Sequence, residues 1–245
     1  MIERYINNRV NAIWNDQNRF DTWKLIQEKY VETLEQLKIA EAGIAKKIRE
    51  AEVSKEEVYK QEEVTNHDLA SFVDILQKKV GEGSNWIHYG LTSSDIVDSA
   101  NSLLILQSIE IAQELILDLL KELKLKAKEN KDTKIIGRTH GVYAEETFLG
   151  NIFGNWYLEI KRSLDRVERA KVSIAYGKLS GPVGNHTVVT EEMEKITLEK
   201  LGLKPEIFAS QIVSRDRYAE VFTSLSILAS TYERISTNLR SYQRS

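Results

Sequence analysis

Apolar residues recur at helical spacing along most of the chain. In an α-helix the buried face returns every three or four residues. This pattern predicts a helix over residues 22–51, continued by a charged stretch at 52–64, and a shorter helix over residues 67–80. The first ~20 residues lack the pattern and are expected to be irregular, with Trp14 and Phe20 anchored on the core. The N-terminal part of the chain is therefore predicted to be a small helical domain.

Much longer helices are predicted in the rest of the chain, over residues 93–130, 143–172 and 216–245. In the last of them the apolar residues alternate steps of four and three, which is typical of the seam of a left-handed bundle. No segment shows a convincing β pattern. The predicted fold class is all-α: a small N-terminal helical domain at residues 1–92, followed at residues 93–245 by the first part of a bundle of very long helices.

The predicted long helices carry two further implications. Helices of about 30–40 residues far exceed the usual ~11–12, and their wide apolar coverage indicates faces buried by partner chains. A monomeric bundle is the alternative.

The apolar seam of the last helix is still in phase at Tyr242, and no Gly, Pro or cap precedes Ser245. The sequence is therefore expected to be truncated within the bundle.

Composition narrows the class of protein. A hydrophobic fraction of 42% with 29% charged residues is usual for a globular protein. The absence of cysteine excludes disulfides, thiolate metal sites and a cysteine nucleophile. A net charge of −3 gives no reason to expect nucleic acid or anionic membrane as a partner. Neither a signal core nor metal-ligand spacing is found. We expect a cytoplasmic protein without a metal.

A polar break at Gly137–Gly141 interrupts the helical pattern. It places Arg138, Thr139 and His140 side by side between two glycines, whose conformational freedom leaves room for a ligand. An imidazole beside a guanidinium and a hydroxyl combines acid–base chemistry with anion binding. The alternative is structural, with His140 capping a helix or binding a buried carbonyl.

A second break, His88–Asp95, combines an imidazole with several hydroxyl groups. Thr92 and Asp95 have the spacing of a capping box, and the N–H groups at such a helix start can bind a carboxylate or phosphate. The pair His67-Asp68 also lies at a predicted helix start, where capping is the alternative to function. The two breaks together predict that the chain is part of an enzyme.

The residues of both breaks resemble those of the adenylosuccinate lyase family, in the fumarase/aspartase superfamily. The segment His88–Asp95 is the discriminating match, whereas the Thr-His of Gly137–Val142 is shared across the superfamily. Supporting matches along the chain are Met1–Tyr5, His67-Asp68, Gly177–Gly181, Gln211 and Arg215–Arg217. The resemblance covers the whole sequence, but only the N-terminal portion of a family member.

The resemblance implies a cofactor-free β-elimination in purine biosynthesis. Fumarate is released from adenylosuccinate, giving AMP, and from the succinylated aminoimidazole-carboxamide ribotide. His140 is implied to be the general acid, while His67 and His88 bind and orient substrate. The residues implied to bind substrate are Arg4, Tyr5, Asn66, Asp68, Thr92, Ser93, Thr139 and Gln211. Members of the family build their active site from several subunits of a homotetramer.

The chain also departs from the family pattern. Tyr143 and Glu146 stand where the family usually has the His and Pro of His-Ala-Glu-Pro, and Asn66 replaces a basic residue or Thr. The signature loop Ser-Ser-x-Met-Pro-His-Lys-Arg-Asn-Pro, which carries the catalytic serine base, does not occur in the sequence. We therefore expect little activity from the chain alone. The alternatives are a truncated, non-catalytic paralogue that only assembles, or another lyase of the superfamily with a different substrate.

Overall fold

The structure is a computed structural model that describes residues 3–243, most of them in α-helices. The helices are α1 (Asn8–Trp14), α2 (Asp16–Gln36), α3 (Ile44–Glu50), α4 (Lys55–Thr65), α5 (Asp68–Val80), α6 (Ser93–Glu129), α7 (Leu149–Ile174), α8 (Glu191–Lys200) and α9 (Asp216–Tyr242). The strands are β1 (Lys134–Thr139), β2 (Val142–Phe148), β3 (Tyr176–Gly177) and β4 (Lys204–Pro205). Single 3₁₀ turns lie at Glu3–Tyr5 and Ser84–Trp86. The predicted helical fold class is confirmed.

The chain divides into two compact units, each discontinuous in sequence. The first unit comprises Met1–Ser108 and Ile174–Arg215, and the second comprises Ile109–Ser173 and Asp216–Ser245. Helix α6 contributes residues to both. The division into domains at residues 1–92 and 93–245 stays a prediction.

The core of the first unit is built around α2. Phe20 and Trp23 of this helix meet edge to face with ring centroids 5.3 Å apart, and Trp23 meets Phe72 of α5 in the same way at 5.6 Å. One turn apart along α2, Ile26, Tyr30 and Leu34 are fully buried. Each such side chain contributes about 1.5–3 kcal/mol through burial of apolar surface. The buried face of α2 therefore anchors the other helices of this unit.

The predicted N-terminal elements need correction at two points. The first 20 residues are not irregular, because α1 and α2 begin there, each capped by an asparagine. Asn7 Oδ1 accepts from the N–H groups of Arg9 and Val10, and Asn15 caps α2 in the same way. The helix predicted to run to residue 51 ends at Gln36, where the next residues turn back on the carbonyl of Leu34. Propensity within the segment did not reveal this break.

The second unit contains the long helices α7 and α9 and the C-terminal part of α6. Buried apolar side chains of these helices include Ile116, Leu120, Leu123, Trp156, Ile160, Leu164, Val167, Val221, Leu228 and Ile235. The predicted seam of α9 is correct at Val221, Leu228 and Ile235. At the intervening positions Ser224 and Thr231 are buried. The Thr231 hydroxyl donates to Glu159 Oε1 of α7 at 3.0 Å, so a polar contact accompanies the apolar ones.

A β-hairpin replaces the first two turns of the predicted helix at residues 143–172. Strands β1 and β2 pair antiparallel, with Lys134 opposite Phe148 and Thr139 opposite Val142, and α7 begins only at Leu149. Tyr143, Thr147 and Phe148 have high β propensity, and the registry is supported by a Lys134–Glu146 ion pair at 2.9 Å. The sequence-based statement that no β pattern exists is wrong here.

No helix among residues 3–243 combines the length and apolar content that crossing a membrane requires. Within the same residues, no three His, Cys, Asp or Glu side chains are grouped as metal ligands would be.

Candidate active site

His67 caps the N-terminus of α5. Its backbone is extended, and its Nδ1 accepts from the N–H of Ala70 at 3.4 Å. Nε2 lies 3.3 Å from the hydroxyl oxygen of Ser93, at the start of α6. The capping alternative is thus confirmed, and the cap also directs the other ring nitrogen toward Ser93.

The residues on either side of His67 hold the turn between α4 and α5. Asn66 ends α4 in the left-handed region, with φ of 54°, and its N–H donates to Glu62 O. Asn tolerates this conformation better than most side chains. The turn therefore provides a structural reason for Asn where the family usually has a basic residue or Thr. Asp68 Oδ1 accepts from the Leu69 N–H at 2.7 Å and lies 3.4 Å from His67 Nδ1.

His88 is held by the side chain of Gln27, which is fully buried on α2. The His88 backbone N–H donates to Gln27 Oε1 at 2.9 Å, and Gln27 Nε2 lies 2.9 Å from His88 Nδ1. The φ of His88 is 64°, a conformation that costs a non-glycine residue free energy and is often found at functional sites. Burial, with a smaller effect of the nearby His67, lowers the pKa of His88 to about 4. His88 is therefore neutral at physiological pH.

A buried ion pair fixes the start of α6. Lys178 Nζ donates to Asp95 Oδ1, and both side chains are fully buried. Asp95 also accepts from the backbone N–H groups of Thr92, Ser180 and Gly181, at 2.9–3.2 Å. Burial raises the pKa of the Asp95 carboxyl, and the ammonium and the N–H donors act against that rise. The Thr92–Asp95 half of the predicted capping box is confirmed, since Asp95 accepts from Thr92.

The same pair joins two segments that are far apart in sequence. Lys178 Nζ also donates to Gly181 O at 2.8 Å, and the Ser99 hydroxyl bridges the N–H and carbonyl of Lys178, at 3.2 Å each. Gly90, with φ of 70°, lies so close to Val188 that an added Cβ would come within 2.4 Å of it. The glycine-rich segment after β3 is therefore packed tightly against the segment that carries His88, Thr92 and Ser93.

His140 lies in a very different setting, at the tip of the hairpin in the second unit. His140 and Gly141 form the two-residue turn between β1 and β2, and both have positive φ, 54° and 77°. This is the signature of a type I′ turn, the common two-residue hairpin turn. Every residue from Arg138 to Glu146 is exposed. The alternative of His140 as a helix cap is wrong, because the residue belongs to a hairpin.

The hairpin also accounts for one departure from the family. The Arg138 guanidinium lies over the ring of Tyr143, 5.0 Å from its centroid. Arg138 and Tyr143 are paired across the two strands. A cation–π contact of this kind contributes about 0.5–1 kcal/mol at an exposed site. Tyr143 therefore holds Arg138 on the strand that leads into His140.

The remaining predicted residues lie elsewhere in the first unit. Arg4 and Tyr5 form the first 3₁₀ turn, with the guanidinium of Arg4 4.9 Å from the ring centroid of Tyr5. Gln211 is exposed in the irregular segment before α9. Two residues further, Val213 N–H donates to the buried Asp98 at 2.9 Å, and Arg215 pairs with the same carboxylate at 3.0 Å. Asp98 of α6 therefore anchors the segment that leads into α9.

The structure thus groups His67, Asp68, His88, Thr92 and Ser93 in the first unit and places Thr139 and His140 in the second. The sequence did not reveal Gln27 and Lys178, which hold the site residues of the first unit in place. Gln27 follows Trp23 by four residues on the buried face of α2, so a polar residue within an apolar stripe was the available signal. Lys178 gave no such signal, because its partner Asp95 lies 83 residues away.

Comparison with known proteins places these residues in a family. A family model described as lyase matches residues 8–245. The chain is 40% identical over its whole length to adenylosuccinate lyase of Thermotoga maritima, and 40% identical to that of Aquifex aeolicus, covering 57% of each relative. The chain therefore spans a little over half the length of these curated relatives.

A solved structure shows the same fold at much lower identity. The fumarate lyase from Mesorhizobium sp. BNC1 superimposes with a TM-score of 0.91 over 98% of this chain and 58% of that one, at 19% identity. At such low identity the likeness establishes the fold alone. The fumarase/aspartase-like architecture expected from the sequence is confirmed.

Proposed function

Because the chain belongs to the lyase family, we propose that it forms part of an adenylosuccinate lyase. The reaction is the β-elimination of fumarate from adenylosuccinate, giving AMP, and from the succinylated aminoimidazole-carboxamide ribotide. Identity of 40% to two adenylosuccinate lyases over the full chain supports this substrate class. The observation that carries the proposal is the pairing of a histidine cap with the hydroxyl-rich start of α6, at His67 and Ser93.

The chemistry assigned to each group follows from its environment. Elimination needs donors for the succinyl carboxylates, an acid for the departing nitrogen and a base for the carbon-bound proton. The start of α6 offers a helix dipole and the hydroxyls of Thr92 and Ser93, which suit a carboxylate. His140 is exposed, and an imidazole can donate a proton to a departing nitrogen. His88, neutral and half-buried, serves as a hydrogen-bonding group.

The proposal includes a division of labour within the complete enzyme. The chain spans 57% of its relatives and contains no Ser-Ser-x-Met-Pro segment. We assign to it the acid and the carboxylate-binding groups, with the base supplied by a serine outside residues 1–245. By itself the chain is expected to release little or no fumarate.

Association with further copies is part of the same proposal. Large apolar side chains on the helices of the second unit remain exposed, among them Leu115, Leu117, Leu158 and Phe222 at 49–59%. Contiguous apolar patches on a surface mark interaction sites, and these side chains are candidates to form such faces. We propose a homo-oligomer, and static light scattering of the purified chain measures its mass. Association without catalysis, as in a non-catalytic paralogue, is the second candidate supported by the same faces.

The test is a chimera that joins residues 1–245 to the remaining portion of the Thermotoga maritima enzyme. We expect it to release fumarate from adenylosuccinate, and we expect the His140→Ala variant to lose at least 100-fold in kcat, typical of a lost general acid. His186→Ala is the matched control, since His186 shares the positive φ of His140, 54°, without an assigned role. Robust turnover by the chain alone would contradict the division of labour. A chimera that binds no nucleotide would favour the paralogue.

A further inference from the structure

The side-chain amide of Gln27 makes both of its described hydrogen bonds to one residue, His88. Gln27 is fully buried, so its amide has no water to bond with, and its orientation is fixed by these contacts. Its two polar atoms contact the backbone nitrogen and the ring Nδ1 of His88, each at 2.9 Å. A buried amide that clamps a single histidine at two points restricts both its backbone and its ring.

The backbone contact determines which ring nitrogen carries the proton. A backbone N–H can only donate, so the Gln27 atom that faces it is the carbonyl oxygen. The atom facing His88 Nδ1 is then the NH₂ group, which can only donate. Nδ1 must accept, and the single proton of the neutral ring must lie on Nε2.

We propose that Gln27 is a positioning residue that holds His88 as the neutral Nε2–H tautomer, so that the ring presents one N–H donor to an oxygen of the anionic substrate. This inference rests on the proposed function for its substrate, but the tautomer assignment is independent of it. The geometry gives His88 a role distinct from that of His140: His88 donates a hydrogen bond and keeps its proton, whereas His140 gives its proton up.

Two features of the surroundings support the assignment. The Tyr30 hydroxyl donates to Tyr89 O at 2.8 Å, so α2 fixes the backbone on both sides of the strained φ of His88. Protonation of His88 would bring an Nδ1–H against the NH₂ of Gln27, two donors facing each other. His67, the neighbouring titratable group, and the burial of the ring act in the same direction, since both lower the pKa of His88.

His186 provides an internal reference with the opposite geometry. Its Nδ1 lies 3.0 Å from the carbonyl oxygen of Val189, which can only accept. His186 Nδ1 must therefore carry a proton. His186 Nε2 in turn lies 3.6 Å from the buried Glu194 carboxylate. His88 and His186 are therefore expected to differ at Nδ1 in a single sample, unprotonated in His88 and protonated in His186.

The experiment is long-range ¹H–¹⁵N NMR of the 245-residue chain labelled on histidine nitrogen, near pH 7.5. For His88 we expect Nδ1 to resonate as an unprotonated ring nitrogen and Nε2 as a protonated one, with Nδ1 protonated in His186. The His88→Asn variant, which keeps a residue tolerant of positive φ, assigns the signals. A protonated Nδ1 in His88 of the unmodified chain overturns the proposal without the need for any variant.

The Gln27→Glu variant tests whether Gln27 sets the tautomer of His88. The carboxylate keeps the shape and still accepts from the His88 N–H, but it cannot donate to Nδ1. We expect the proton to move to Nδ1 and the pKa of His88 to rise by about 2 units, because an opposite charge now lies within hydrogen-bond reach. Gln17→Glu, on the same helix, is the matched control and should leave His88 unchanged. A His88 tautomer that Gln27→Glu does not alter would refute the positioning role.

Adding AMP or fumarate separates this inference from the proposed function. A shift of the Nε2–H signal on addition supports the donor role toward substrate. If the signal does not move while the tautomer is as assigned, the substrate role of His88 fails and the structural role of Gln27 stands.

Discussion

The histidines of the two units are held in contrasting ways. His88 is half-buried and clamped by Gln27, and the neighbouring start of α6 is fixed by the Asp95–Lys178 pair. His140 stands on an exposed two-residue turn, supported only by the pairing of its own hairpin strands within the described chain. Under the proposed function, the histidine that is oriented and kept neutral is held by a buried side chain. The histidine proposed to give up a proton lies on an exposed turn.

The largest difference in stability is expected between a variant that breaks an ion pair in the first unit and one that breaks an ion pair in the second. Asp95→Ala leaves the Lys178 ammonium buried without its carboxylate, and we expect a loss of about 3–5 kcal/mol in the free energy of unfolding. Glu146→Ala removes the exposed Lys134–Glu146 pair and should cost less than about 1 kcal/mol. Urea unfolding followed by tryptophan fluorescence measures both, since Trp14, Trp23 and Trp86 lie in the first unit and Trp156 lies in the second.

A double replacement sharpens this prediction. Asp95→Leu with Lys178→Met removes both charges, and it should be less destabilising than Asp95→Ala alone, because a buried pair replaced by apolar groups is often nearly neutral. An equal loss of stability in the single and double variants would contradict this. It would mean that Asp95 stabilises the fold mainly through the backbone N–H groups around it and not through Lys178.

The pH dependence of stability should reveal the lowered pKa of His88. Since the pKa of His88 is about 4 in the folded chain and about 6.5 when unfolded, the unfolded state binds the proton first as the pH falls. Stability is therefore full above pH 6.5 and is lost as the pH falls toward 4, by up to about 3 kcal/mol. Unfolding curves measured from pH 7 to pH 4.5 check this, with His88→Asn as the comparison. An equally steep loss in the variant would show that other groups cause it.

Replacing two glycines of the second unit should change stability in opposite directions. Gly141→Val forces a β-branched residue to a φ of 77° and should cost about 1–2 kcal/mol within the hairpin. Gly154→Ala, inside α7 with nothing within 4 Å of the added methyl group, should stabilise by about 0.5–1 kcal/mol. Amide hydrogen exchange measures both effects locally, in residues 134–148 for Gly141→Val and in α7 for Gly154→Ala. Unchanged protection of the hairpin in Gly141→Val would argue against the turn.

The smallest effect is expected at the hairpin tip itself. His140→Asn introduces the Asn-Gly dipeptide that type I′ turns prefer, and stability should change by no more than about 0.5 kcal/mol. Thermal unfolding measures this. A loss above about 2 kcal/mol would indicate a structural role for the imidazole and weaken its assignment as the acid.

The periodicity of the sequence predicted the long helices well because their burial repeats locally. Helix α6 was expected at residues 93–130 and runs from Ser93 to Glu129, and α9 begins at the predicted Asp216. The hairpin was missed since its strands are almost wholly exposed and show no apolar alternation. The break after Gln36 was missed because apolar spacing continues across it.

For the candidate site, the amino-acid sequence alone was enough to identify the groups proposed to carry the chemistry and the glycines and hydroxyls around them. His67, His88 and His140 all stand out as polar breaks beside helix starts or turns. What each imidazole can donate or accept became clear only from the folded chain. Gln27, Asp95 and Lys178 act through contacts across 61 to 83 residues, and such contacts leave no periodic trace in the chain. Protonation and tautomer depend on burial and hydrogen-bond partners, which exist only once the chain has folded.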